Sequence, residues 1–193
     1  MLKLFFAGTM VLLLQTASAQ LQLGIKAGAN ISNFTGGDFE NIEKEALVGP
    51  FGGAFLRFRL FDLLAIQPEV LLSAQGAKLK SATEEYDAKV SYVNIPVMVL
   101  VNLGGFYIEG GPQVGFKVSE DVPEQTIEEF AKSTDLSAAL GLGYETKFGL
   151  GISGRYTIGL SKVGDFESAD IDPDFKNSVI QLGLYYTFFN KKK

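Results

Sequence analysis

The stretch IQPEVLLSAQ, Ile66 to Gln75, sets Gln67, Glu69, Ser73 and Gln75 on odd positions and Ile66, Pro68, Val70, Leu72 and Ala74 on even ones. Successive side chains of a β-strand point to opposite faces, so the stretch predicts a strand with one polar and one apolar face. The alternation recurs along the chain. Leu21, Leu23, Ile25, Ala27 and Ile31 alternate with Gln22, Gly24, Lys26, Gly28 and Asn30. The same period runs through YVNIPVMVLV (92–101), FYIEGGPQVGFKV (106–118), LGISGRYTIGL (150–160) and SVIQLGLYYTFF (178–189). Two noisier segments, GPFGGAFLRFRLF (49–61) and DLSAALGLGYE (135–145), bring the count of predicted strands to eight. Each offers the ~9–11 residues that a tilted strand needs to cross a bilayer. Helical spacing fits only the acidic stretch Glu124 to Lys132.

The predicted connections alternate in length. Phe61-Asp62, Asn102 to Gly105 and Thr146 to Gly149 are short turns, whereas Ser32–Leu47, Ala77–Lys89, Ser119–Thr134 and Ser161–Asn177 are long. Turns at one end and loops at the other predict an all-β fold: an eight-stranded antiparallel up-and-down transmembrane β-barrel with four long extracellular loops and short periplasmic turns.

The content of the two faces supports this orientation. The apolar face carries no charge in the six clear strands, as lipid requires, since Arg or Lys at the bilayer midplane costs roughly 2–4 kcal/mol. The polar face is mainly Gly, Ser, Thr, Asn, Gln and Tyr, with sparse and nearly balanced charge: Lys26, Arg57, Arg59, Lys117 and Arg155 against Glu69, Glu109, Asp135 and Glu145. These nine residues are the candidate lumen charge network, structural in role or lining a pore. A barrel of eight strands encloses just enough space for side chains to fill, whereas open channels belong to barrels of ~16–18 strands. Glu69 must be paired in such a lumen, and Arg57 and Arg59 on the preceding strand are its expected partners, with Lys26 in reserve.

Composition narrows the chemistry. The chain is 193 residues long, 47% hydrophobic, with a mean hydropathy of +0.17, 22 Gly, and neither Cys nor His. No disulfide or thiol chemistry is available, and the commonest general base and metal ligand is missing. An acid–base pair such as Glu69 with Glu109 is the one catalytic arrangement left, and nearby Arg and Lys argue against it. No enzyme activity and no cofactor are expected. A sequence pI near 4.8 excludes a nucleic-acid partner. Met1-Leu2-Lys3, the apolar run Leu4–Leu14 and Ala17-Ser18-Ala19 predict a cleaved signal peptide over residues 1–19, leaving 20–193 as the barrel domain. Loss of Lys3 moves the net charge from −5 to −6. Asp170, Asp172 and Asp174 form a weak calcium-loop candidate that lacks the Gly and Glu of an EF-hand, and a solvated loop is the expected reading. Phe39, Tyr86, Phe130 and Phe166 are candidate contacts for a surface partner.

Several segments resemble the small outer-membrane β-barrel domain family of Gram-negative bacteria, often labelled porin-family proteins. They are GIKAGANISNF (24–34), QPEVLLSAQGA (67–77), YVNIPV (92–97), YIEGGPQVGF (107–116) and GRYTIGL (154–160). The resemblance implies an integral protein of the cell outer membrane, monomeric, with lipid and the barrel-assembly machinery as partners. Gln181, Gly183, Tyr186 and Phe188 resemble the signal that this machinery reads in a last strand, although Phe189 to Lys193 follow it. A non-enzymatic barrel with a structural or surface-interaction role and a mostly plugged lumen is the reading that follows. A narrow channel for ions or small solutes is the first alternative, and a soluble exported lipocalin-like binding barrel the second.

Overall fold

The computed structural model describes residues 20–36, 43–80, 85–121, 132–162 and 175–188. They form eight strands: β1 (Gln20–Gly36), β2 (Glu43–Arg59), β3 (Leu64–Lys80), β4 (Glu85–Leu103), β5 (Phe106–Asp121), β6 (Thr134–Glu145), β7 (Leu150–Gly159) and β8 (Phe175–Phe188). Every strand pairs antiparallel with its sequence neighbour, and β8 pairs with β1 from Leu23↔Phe188 to Gly36↔Phe175. The sheet therefore closes, and no strand keeps an open edge along the paired length. The shortest strand, β7, has 10 residues. At a rise of ~3.3 Å per residue and a tilt near 45°, that spans roughly the 25 Å apolar band of such barrels.

The side-chain alternation has the polarity expected of a membrane barrel. Outward positions are exposed and apolar, among them Val70 at 54% and Leu72 at 63%, while Gln67 and Glu69 between them are 1% exposed. Phe61 and Phe148 stand out at the turn end, 71% and 84% exposed, where aromatic rings suit a bilayer interface. The turns use backbone conformations that side chains disfavour: Gly104 and Gly105 have φ of 71° and 107°, and Gly149 has 89°.

Strands run further than the alternation predicts. β1 continues to Gly36, β2 begins at Glu43, β5 reaches Asp121 and β8 begins at Phe175, so parts of three expected loops are strand. The expected loop 77–89 is corrected most: β3 extends to Lys80 and β4 begins at Glu85, joined by Ala77↔Ala88, Lys78↔Asp87 and Lys80↔Glu85. The outer face here is polar, with Lys78 and Lys89 at 3.8 and 3.1 Å from Asp87, because the wall has left the lipid band. Without an apolar outward face the two-residue period disappears, although the ladder continues.

One irregularity shapes the lumen. The β2–β3 register shifts by one residue between Ala46↔Ala77 and Phe51↔Ser73. The carbonyl of Ala74 then accepts a hydrogen bond from Asn30 Nδ2 of β1, reaching past β2 at 3.0 Å. Gly49 permits this, since a Cβ there would sit 2.6 Å from that carbonyl oxygen. The lumen is layered along its axis. Phe55, Ala65, Met98, Leu100, Tyr107, Ala139 and Tyr185 fill the turn end. Charged and then amide side chains follow, and Phe34 meets Phe175 toward the outer end, their rings tilted at 46° with centroids 4.6 Å apart.

Candidate functional site

The charged layers of the lumen are built by strand parity. Lys26, Arg57, Glu69, Glu109, Glu145 and Arg155 all occupy inward positions and are buried. Arg155 on β7 donates from Nη1 and Nη2 to the two oxygens of Glu69 on β3, at 3.0 and 2.7 Å. Its Nε donates to Glu109 on β5 at 2.9 Å. Lys26 on β1 donates to Glu69 at 3.4 Å. Two cations and two carboxylates thus meet in one layer, with Glu69 and Arg155 on strands opposite each other in the ring of eight.

A second ion pair crosses the lumen on the turn side of the first. Arg57 on β2 is hydrogen-bonded to Glu145 on β6, again four strands apart. Its Cζ lies 5.3 to 5.8 Å from the rings of Phe55, Tyr107 and Tyr185, a cation–π cage. Its Nε donates to Gln67 Oε1 at 2.6 Å, and Gln67 Nε2 donates to Glu69 at 2.7 Å, so Gln67 links the layers. Gly141 and Gly143 make room on β6. A Cβ on Gly141 would be 2.9 Å from Glu109 Oε1, and one on Gly143 would be 2.3 Å from the Tyr107 hydroxyl.

The expected partners of Glu69 are corrected by this geometry. Arg57 bonds Glu145 and Gln67 instead, and Arg59 is half-buried with its Nε unbonded. The reserve partner, Lys26, does pair, and the main partner, Arg155, comes from across the barrel. Sequence-based pairing looked to adjacent strands, and a closed barrel makes the diametric strand equally near. Lys117 is half-buried toward the outer end and belongs to neither layer. Asp135 is buried in the outer half, bonded by Ser137, Ser161 and Asn177. Gln67 and Asn30 were legible as inward residues, but nothing in the sequence marked them as links in a network.

In the last strand Gln181 points inward and donates to Asn30 at 3.1 Å, Gly183 is half-buried, and the rings of Tyr186 and Phe188 meet edge-on at 5.2 Å. Asp170, Asp172 and Asp174, most of the predicted acidic helix, and Phe39, Phe130 and Phe166 lie outside the described residues. No group of three or more His, Cys, Asp or Glu among the described residues is placed to hold a metal. Glu69 and Glu109 share the one guanidinium, so they do not form a free acid–base pair. A groove of about 550 Å³ bordered by Ala27, Leu142, Ile152, Gly154, Leu182 and Leu184 opens on the lipid-facing side and carries no polar chemistry.

A closed barrel with an apolar outer band and an ion-paired lumen defines an integral outer-membrane protein. Its polarity is the reverse of a lipocalin's, which removes the soluble reading. Residues 14–165 match the outer membrane protein beta-barrel domain family, and the chain belongs to that family. The structure is similar to Neisserial surface protein A, with 13% identity and a TM-score of 0.55, over 86% of this chain and 97% of that one. It is also similar to Ail, the attachment invasion locus protein of Yersinia pestis, in complex with the heparin analogue sucrose octasulfate. That likeness has 15% identity and a TM-score of 0.50, over 88% of this chain and 99% of Ail. At these identities the likeness establishes the fold. No curated protein sequence matches the chain.

Proposed function

We propose that this protein is a non-enzymatic outer-membrane barrel whose lumen is closed and whose outer end serves a structural or surface-interaction role. Export directed by residues 1–19 and insertion guided by the last strand are part of this reading. The observation that carries it is the Glu69–Arg155–Glu109 bridge, backed by Arg57–Glu145 and its aromatic cage. Two crossed ion pairs occupy the lumen, and an ion passing through would have to break buried, charge-assisted bonds. The absence of His and the shared guanidinium leave no proton relay of the usual kinds.

A surface partner would meet an acidic outer end. The segments that join strands there, residues 37–42, 81–84, 122–131 and 163–174, contain eleven Asp and Glu and no Lys or Arg. Lys78 and Lys89 lie on the strand ends beneath, and Lys162 lies just past the end of β7. The sulfated ligand named with Ail therefore does not transfer readily, and a cationic partner is the better match. The test is planar-bilayer conductance of the purified barrel. The wild type should give no single-channel steps. Steady conductance by the wild type would replace this reading with the narrow-channel one.

A further inference from the structure

The outer half of the lumen holds a carboxylate that neither ion-pair layer uses. Asp135 on β6 is 4% exposed, and no Lys or Arg among the described residues forms an ion pair with it. Ser137 Oγ donates to it at 2.8 Å, Ser161 Oγ at 3.1 Å and Asn177 Nδ2 at 3.5 Å. These donors orient the carboxylate and bring no positive charge to it. Asn94 on β4 and Gln113 on β5 point into the same region, 2% and 5% exposed, and their amides make no hydrogen bond among the described residues.

The register brings these groups together. Gly115 on β5 pairs with Asn94 on one side and Asp135 on the other, and Gln113 pairs with Ser137. A Cβ on Gly115 would lie 2.6 Å from Asn94 Oδ1 and 3.6 Å from Asp135 Cβ. The missing side chain leaves a cradle walled by Asn94 Oδ1, the Tyr92 ring and the Asp135 side chain. Buried carboxylates ordinarily have a cationic partner, and buried amides ordinarily have their oxygens satisfied.

We propose that Asp135, Asn94 and Gln113 form a binding site for a small monovalent cation, an alkali ion or a primary ammonium. A single carboxylate with neutral amide and hydroxyl oxygens suits one positive charge, whereas divalent ions call for several carboxylates. The ion-paired layer of Lys26, Arg155, Glu69 and Glu109 closes the lumen beneath the amides, so the site is a closed vestibule that holds a cation and does not pass it.

The test is the thermal unfolding midpoint of the purified full barrel in detergent, at constant ionic strength. N-methylglucamine chloride, whose cation is too large for the cradle, is replaced stepwise by potassium chloride or by methylammonium chloride. The expected result is a saturating rise of the midpoint with potassium, methylammonium or both; the more effective one names the class of cation. Asp135→Asn should abolish the rise, and Glu45→Gln, an exposed rim control, should keep it. Gln113→Lys places a tethered ammonium beside Asp135, and should raise the midpoint in N-methylglucamine while removing the response to added cation. This second variant decides the matter if Asp135→Asn does not fold. No cation-specific rise in the wild type, or a rise that survives in whichever of the two variants fold, overturns the proposal.

Discussion

Arg155 and Glu69 lie on diametrically opposed strands, β7 and β3, yet share two hydrogen bonds of 3.0 and 2.7 Å through the centre of the barrel. The pair is a strut: it links opposite walls that the backbone ladder connects only through three intervening strands on either side. Its burial makes it costly to break from one end, because the remaining charge has no water to turn to.

Removing either end should therefore destabilise the folded barrel. Glu69→Gln and Arg155→Gln should each cost on the order of 3–5 kcal/mol, and the double variant less than their sum by about 1–3 kcal/mol. Glu69→Gln combined with Arg57→Gln should show weaker coupling, transmitted only through Gln67. Urea titration of the barrel in detergent measures these variants and the Arg57→Gln single that completes the second cycle. Equal coupling in the two cycles would contradict the assigned pairing.

The glycines on β6 and β7 make a sharper steric test. Gly143→Ala should push Tyr107 out of place and destabilise the barrel by about 1–3 kcal/mol, as overpacking does. Gly154→Ala meets only Leu182 Cδ2, at 3.7 Å, and should be nearly neutral. Heat-modifiable migration on gels reports both, and a reversed order would mean that the inward and outward faces of these strands are exchanged.

On the outer surface, Val97 is exposed at mid-strand and Val97→Arg should cost roughly 2–4 kcal/mol by placing charge in lipid. Gln113→Arg points inward opposite Ser137 and should be better tolerated. The fraction of barrel folded into vesicles compares them. Equal loss in both variants would count against the register.

Orientation can be read by thiol labelling, with no background because the chain has no Cys. Cys introduced at Lys89, Ser119 or Ser133 should react with an impermeant maleimide on intact cells. Cys at Asp62 or Lys147 should react only after the cells are opened. Labelling of the turn positions from outside would invert the topology.

The sequence by itself determined which side chains face lipid and which face the lumen. The alternation at Ile66–Gln75 is a property of backbone geometry and survives any detail of packing. The cost of charge in lipid then excluded charged residues from one face, and the short turns at Phe61, Gly104 and Gly149 imposed antiparallel neighbours. Local pairing logic looked to Arg57 and Arg59 for the partner of Glu69, and to Lys26 in reserve. Tertiary structure decided the rest. Closure put β3 opposite β7 and β2 opposite β6, and so chose Arg155 for Glu69 and Glu145 for Arg57. No periodicity along one strand encodes a contact across a diameter. The outer ends of β3 and β4 escaped the pattern because their outward face is polar there, leaving only the hydrogen-bonded ladder to define them. The juxtaposition of Asp135, Asn94 and Gly115 likewise depends on the register of three strands, which no single strand encodes.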